Sequence, residues 1–169
     1  NGSGKTSLLR MICGLARPAH GEIRWLGDNI RSLDEDYYNS ITYLGHLNGV
    51  KDNLNAIENL RISSALAGNG IDESTAYASL QKMGLVGREI LPVKVLSQGQ
   101  RRRVTLARLL VSDTVLWILD EPLVALDTSA VLLVKGILEQ HLEKGGMVVM
   151  TTHQDINIAA IETKRLQLN

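Results

Sequence analysis

Residues Asn1-Gly2-Ser3-Gly4-Lys5-Thr6-Ser7 carry the groups needed to hold a polyphosphate. Gly2 and Gly4 let the backbone approach an anion closely, and consecutive N–H groups with a helix N-terminus behind them aim donors at it. Asn1 and Ser3 complete the backbone wrap. Lys5 supplies a mobile point charge for the β- and γ-phosphates. Thr6 offers a hydroxyl to a divalent cation and Ser7 one to the α-phosphate. The bland alternative is a glycine-rich turn ahead of a helix. The full phosphate-loop pattern is G-x-x-x-x-G-K-[ST], of which Gly4-Lys5-Thr6 are the last three positions. Its first glycine, and the strand feeding the loop, are expected before Asn1.

A second group of reactive side chains closes the apolar run Val115-Leu116-Trp117-Ile118-Leu119, which ends in Asp120-Glu121-Pro122. Such a run suits a strand buried on both faces of a parallel sheet. In open α/β sheets the ligand lies at the carboxyl ends of the strands, so Asp120 is placed facing the phosphate loop. There it can hold Mg2+ directly or through water. Glu121 beside it can polarise an attacking water as general base. Alone, Asp120-Glu121-Pro122 could merely begin a turn. A third group, Leu96-Ser97-Gln98-Gly99-Gln100, precedes a helical run. It reads as a second anion site at a helix N-terminus, or more plainly as a serine N-cap.

The elements that must position these groups follow from periodicity. Leu8, Ile12 and Leu15 mark an amphipathic helix that ends before Arg17-Pro18. Residues 22–26 alternate as a strand, with a turn at Gly27-Asp28-Asn29. Ile41 to Leu44 is a further strand. Asn53 to Leu66 is helical, Gly68-Asn69-Gly70 breaks it, and Asp72 caps a second helix running to Met83 with Gly84 at its end. Arg101 to Val111 is helical, as is Thr128 to Lys144. Met147 to Met150 is a buried strand, Asp155 to Ile161 a helix, and Arg165 to Leu168 an edge strand. Strands alternating with helices predict an α/β fold with a parallel sheet.

Composition narrows the field. Eighteen basic residues balance eighteen acidic ones in a chain of 169, so no global field draws nucleic acid. The run Arg101-Arg102-Arg103 reads as a partly solvated, partly paired helix face, without interleaved aromatics for base stacking. Cys13 is the sole cysteine, which excludes an internal disulfide and suits a reducing compartment. It reads as a small core residue. No apolar stretch reaches the ~18 residues of a membrane span. His20 and His141 read as surface residues.

Taken together, these motifs resemble the ABC-type ATPases across essentially the whole chain. The resemblance implies a phosphate-loop NTPase fold, a RecA-like parallel sheet flanked by helices, over residues 1–45 and 96–169, with N-terminal strands lying upstream. A small helical subdomain is implied over residues 46–95, with the signature sequence at its end. ATP and Mg2+ are the implied ligands, and Lys5, Glu121 and His153 the catalytic residues. Thr6 and Asp120 are implied metal ligands. His153 matches the switch histidine that contacts the γ-phosphate, and Asp127 the loop that crosses the dimer interface. Ser97, Gly99 and Gln100 match the signature segment, usually L-S-G-G-Q, which serves the nucleotide held by a second copy. A head-to-tail homodimer enclosing two ATP is thereby implied. His46 stands where most members carry a glutamine that ligates Mg2+. It either replaces that glutamine as ligand or hydrogen-bond donor, or metal sensing there is weakened.

Within that family, Tyr43-Leu44-Gly45-His46, Gly49-Val50-Lys51, Ala56-Ile57-Glu58-Asn59-Leu60, Leu116-Trp117-Ile118-Leu119 and Thr151-Thr152-His153-Gln154 look like the ATP-binding subunits of bacterial cytochrome c maturation, or heme exporter, systems. That likeness implies a peripheral subunit on the cytoplasmic face of the inner membrane. Its partners would be a CcmB-like integral membrane permease subunit and further membrane components, with no nucleic acid. A different transporter of the same superfamily, or a soluble ABC ATPase, remains the alternative.

Overall fold

One continuously apolar strand, buried on both faces, organises the molecule. In the computed structural model, which describes residues 4–153, 156–158 and 163–167, strands β3 (Ile41–Leu44), β4 (Leu116–Asp120) and β5 (Met147–Thr151) form a parallel sheet in the order β3-β4-β5. All five residues of central β4 are buried, as the apolar run predicts. Its side chains alternate between two faces. Leu116 and Ile118 pack with Leu9 and Cys13 of helix α1 (Lys5–Ile12). Trp117 and Leu119 join the larger cluster on the other face, with Val134 and Leu138 of helix α7 (Thr128–Glu143). Cys13 is in the core, and burial pushes its thiol up to about 12, so it is an inert apolar neighbour.

Helices α4 (Ala56–Leu66) and α5 (Glu73–Lys82) occupy the middle of the chain. The only pairing outside named strands among the described residues is the single bridge Asn55–Pro92. Asn55 starts α4 later than the pattern predicts because it forms a capping box: its side chain accepts from Glu58 N, and Glu58 returns the bond to Asn55 N, each at 2.8 Å. Asp72 caps α5 as expected, and Gly84 follows it at φ +73°. Ala56, Leu60, Ala76 and Leu80 bury into the cluster that holds Trp117 and Leu119. The middle segment therefore shares a core with the sheet.

Four local expectations need correction. Residues 22–29 form a two-residue-stranded hairpin, β1 (Arg24–Trp25) with β2 (Asp28–Asn29); Asp28 and Asn29 pair rather than turn. The turn is Leu26-Gly27, both at positive φ, which matches the twist of the flanking strands. Leu15 is exposed, and the buried face of α1 runs through Leu9 to Cys13. The helix expected from Arg101 begins at Gln98, because Ser97 caps it; α6 (Gln98–Leu106) then tightens into a 3-10 segment over Ala107–Val111. The expected helix over 155–161 and edge strand over 165–168 fall partly outside the described residues. Residues 156–158 and 165–167 have no regular structure. Two further short helices, α2 (Ile30–Leu33) and α3 (Glu35–Tyr38), lead from the hairpin to β3.

Candidate active site

The carboxyl ends of β4 and β5 meet the N-terminus of α1. Gly4 is the N-cap of that helix, at φ +77°, with no side-chain cap. The first-turn N–H groups of α1 thus remain available to an anion. Lys5 is half-buried in this turn and makes no hydrogen bond or ion pair with the described residues. Asn1, Gly2 and Ser3, expected to complete the cradle, lie outside the described residues. Ser7 lies in the first turn and is exposed.

Asp120 is only 2% exposed. Its Oδ2 accepts a hydrogen bond from Thr6 Oγ1 at 3.0 Å, and its Oδ1 one from Thr151 Oγ1 at 2.7 Å. The parallel register sets Asp120 directly opposite Thr151. A hydroxyl and a carboxylate oxygen facing each other at the phosphate site form a hard, all-oxygen donor pair. That pair fits Mg2+, which keeps several waters and takes few protein ligands. No cluster of three or more His, Cys, Asp or Glu able to hold a metal exists among the described residues.

Glu121 turns the chain out of the sheet at φ +48°. A non-glycine residue held there costs roughly 1–3 kcal/mol and needs its surroundings to hold it. Its N–H donates to Thr151 O at 3.1 Å and to Thr151 Oγ1 at 3.0 Å. Its carbonyl accepts from Arg102 Nη2 at 2.9 Å. The result is a carboxylate aimed between two imidazoles. His153 Nε2 lies 3.1 Å from Glu121 Oε1, and His46 Nδ1 lies 3.9 Å from Oε2.

Sequence patterns missed two residues of this centre. Thr151 links Asp120 to the Glu121 backbone through one hydroxyl; its strand position opposite Asp120 is the signal. Arg102 was read only as part of a charge run, yet it is 3% exposed. It donates from Nε to Pro122 O, from Nη1 to Gly45 O, and from Nη2 to both Asp120 O and Glu121 O, all at 2.9–3.2 Å. Burial lowers its pKa, with Asp120 and Glu121 opposing the shift; a guanidinium stays charged regardless. Helical spacing from Leu106 and Leu109, on the buried side of the same run, could have flagged it. The neighbouring arginines behave as expected: Arg101 pairs with Asp52 at 3.0 Å and Arg103 with Asp127 at 2.8 Å.

The signature segment stands apart. Ser97 is exposed and forms a capping box with Gln100: Ser97 Oγ accepts from Gln100 N at 3.2 Å, and Gln100 Oε1 accepts from Ser97 N at 2.9 Å. Gln98 is exposed, so its bulk is borne in solvent. A Cβ on Gly99 would lie 2.7 Å from Ala125 O. No hydrogen bond or ion pair among the described residues joins Ser97, Gly99 or Gln100 to Thr6, Glu121 or His153. Asp127 likewise makes no hydrogen bond or ion pair to that centre among the described residues. It caps α7 through Ala130 N and Ser129 Oγ and pairs with Arg103; these bonds, the Ala130 N–H first, lower its pKa. His20 is exposed as expected. His141 is not a free surface residue: its ring stacks on Trp117 at 3.7 Å, and Nε2 lies 3.1 Å from Val115 O.

The chain also resembles known proteins along most of its length. The family model described as "ABC transporter" matches residues 1–124. The chain belongs to the ABC transporter family. Two of its curated relatives are the cytochrome c biogenesis ATP-binding export proteins CcmA of Nitrosospira multiformis and Nitrosomonas europaea. The first is 73% identical over 99% of the chain and 82% of its own length. The second is 63% identical over 100% and 79%. Among solved structures, the ATP-binding cassette MJ0796, described as a dimer in a post-hydrolysis state bound to ADP and Pi, matches with TM-score 0.79 and 28% identity, over 94% of this chain and 73% of that one. A putative ABC transporter ATP-binding protein from Pyrococcus furiosus matches with TM-score 0.78 and 29% identity, over 91% and 75%. As an ABC ATPase the chain has the expected phosphate-loop α/β fold.

Proposed function

We propose that the chain is the ATP-hydrolysing subunit of an ABC exporter serving cytochrome c biogenesis, coupling hydrolysis to heme export or release of a heme chaperone. The observation that carries the hydrolytic reading is Glu121. Its backbone is locked in a strained conformation beside the Thr6–Asp120 pair, and its carboxylate is faced by His153 at 3.1 Å. The relatives' names supply the export context.

In this reading Asn1 to Ser7 and the α1 N-terminus hold the phosphates, with Lys5 on the β- and γ-phosphates. Thr6 and Asp120 hold Mg2+, which when bound neutralises phosphate charge. Glu121 accepts the proton of the attacking water. His153 keeps the Glu121 carboxylate in place and meets the γ-phosphate. Ser97 and Gly99 of a second copy, at the N-terminus of its α6, close the site from the other side; Gln100 braces that cap and Asp127 the loop beside it. Support for a head-to-tail homodimer comes from the exposure of Ser97, from the lack, among the described residues, of any hydrogen bond joining it to Thr6, Glu121 or His153, and from the dimeric MJ0796 structure. Residues 46–95 act as the helical subdomain that moves on closure and pushes on a CcmB-like permease subunit. The assembly places the chain peripherally on the cytoplasmic face of the bacterial inner membrane. Among the described residues no helix is long and apolar enough to cross a membrane.

The test is Glu121→Gln in the full-length protein expressed in its native membrane. ATP binding persists, turnover falls about 10²–10⁴-fold, and a closed dimer accumulates together with the cytochrome c maturation membrane subunits. Wild-type turnover would overturn the base assignment. A different permease in the purified complex would move the chain to another transporter while keeping its mechanism.

A further inference from the structure

We infer that His46 is a positioning residue for Glu121, not a ligand of the divalent cation; the inference rests on Glu121 being the general base. Each oxygen of the Glu121 carboxylate faces its own imidazole. His153 Nε2 takes Oε1 at 3.1 Å, and His46 Nδ1 stands 3.9 Å from Oε2. The cation-binding oxygens lie elsewhere: both oxygens of Asp120 are engaged by Thr6 and Thr151, and no hydrogen bond or ion pair among the described residues joins His46 to Asp120 or Thr6.

Two further observations support this division of labour. The first is mechanical. One buried guanidinium, Arg102, holds the carbonyl of Gly45, the residue before His46, at 3.1 Å, and the carbonyl of Glu121 itself at 2.9 Å. The backbones carrying the imidazole and the carboxylate are thereby set by a single rigid planar group. At 3.9 Å the pair stands beyond hydrogen-bond distance, and the 62% exposed His46 side chain has room to turn toward Oε2. The second is chemical. Mg2+ is a hard cation that takes oxygen ligands, whereas imidazole suits softer transition metals. A donor N–H on the second carboxylate oxygen holds the rotamer in which Glu121 meets water. Once His46 has turned in, both oxygens are engaged and the carboxylate is held between turnovers.

The atom that faces Glu121 is Nδ1, and this makes the test specific. The amide nitrogen of asparagine overlays Nδ1 of histidine, while that of glutamine overlays Nε2. In the full-length ATPase with its membrane partners, His46→Ala lowers kcat about tenfold or more, the scale of a lost bond to a charged group. KM for ATP and the Mg2+ concentration for half-maximal rate stay unchanged. His46→Asn restores most of the rate and His46→Gln does not. In single-turnover assays on the Glu121→Gln background, His46→Ala adds no further loss, because the two residues act as one unit. A raised Mg2+ requirement in His46→Ala, rescue by glutamine rather than asparagine, or a fully additive loss would each overturn the inference. Failure of the underlying reading is separate: Glu121→Gln would then turn over ATP at the wild-type rate whatever stands at position 46.

Discussion

Replacing Arg102 by methionine tests how the catalytic loop is held. The substitution keeps most of the aliphatic volume in α6 and removes every N–H of the guanidinium. Four main-chain carbonyls lose their donor: Gly45, Asp120, Glu121 and Pro122. The bonds to Asp120 and Pro122 are fully buried, so those carbonyls find no water. An unsatisfied buried acceptor costs about 1–3 kcal/mol. The other two sit where solvent reaches and cost less. Relief from burying a cation offsets part of the sum. The two buried carbonyls come to about 2–6 kcal/mol before that relief, so the expected net loss is about 2–4 kcal/mol. Against a total stability of about 5–15 kcal/mol this is a large fraction. Urea unfolding reads it directly, with Trp25 and Trp117 as internal fluorophores. The midpoint falls while the slope is unchanged. Arg102→Lys retains the charge but offers one compact donor where four carbonyls need a fork, and lands between the two. Because the same atoms hold Glu121 at φ +48°, kcat also falls in the lysine variant under conditions where it is fully folded. A loss below ~1 kcal/mol for Arg102→Met would refute the clamp.

The remaining predictions concern single contacts. Thr151→Val keeps the shape of the side chain but removes the hydroxyl between Asp120 and the Glu121 N–H; kcat falls about tenfold with little change in nucleotide affinity, measured by titration with a non-hydrolysable analogue. Gly99→Ala puts a Cβ 2.7 Å from Ala125 O; the backbone must shift, stability falls about 1–3 kcal/mol, and ATP-dependent dimerisation weakens, as sedimentation of the Glu121→Gln background reports. His141 predicts a pH effect. Burial, more than any other cause, lowers its pKa below the ordinary histidine value of 6.5. The fold therefore favours the neutral ring: its contribution is complete above pH about 6.5 and is lost as pH falls through that value towards the folded pKa. Urea midpoints drop more between pH 8 and pH 5.5 in the wild type than in His141→Gln, and an equal drop would contradict the stacked, neutral imidazole.

Much of this was written locally in the chain. Gly4-Lys5-Thr6, the apolar run into Asp120-Glu121 and the signature segment each lie within one turn or strand, so spacing alone exposes their chemistry. Helix starts were legible where a side chain caps its own backbone, as at Asp72. They shifted by a few residues at Asn55 and Ser97, where the capping box was not recognised. The Leu26-Gly27 turn escaped because leucine at positive φ is a rare choice for a hairpin.

The sequence by itself determined which groups are present: the Gly4-Lys5-Thr6 turn, the Asp120 and Glu121 carboxylates, Thr151 and His153, with the order of elements that carries them. Only the tertiary structure decided which of them touch. Thr6 meets Asp120 across 114 residues of chain, and Thr151 meets it across 31. Arg102 leaves a solvated-looking charge run to hold four carbonyls, and His141 folds back onto Trp117. His46 comes to face Glu121 rather than the oxygens of Asp120. Partners so distant are chosen by strand register and by the packing of α1, α6 and α7 around β4, and neither is a property of any short stretch of residues.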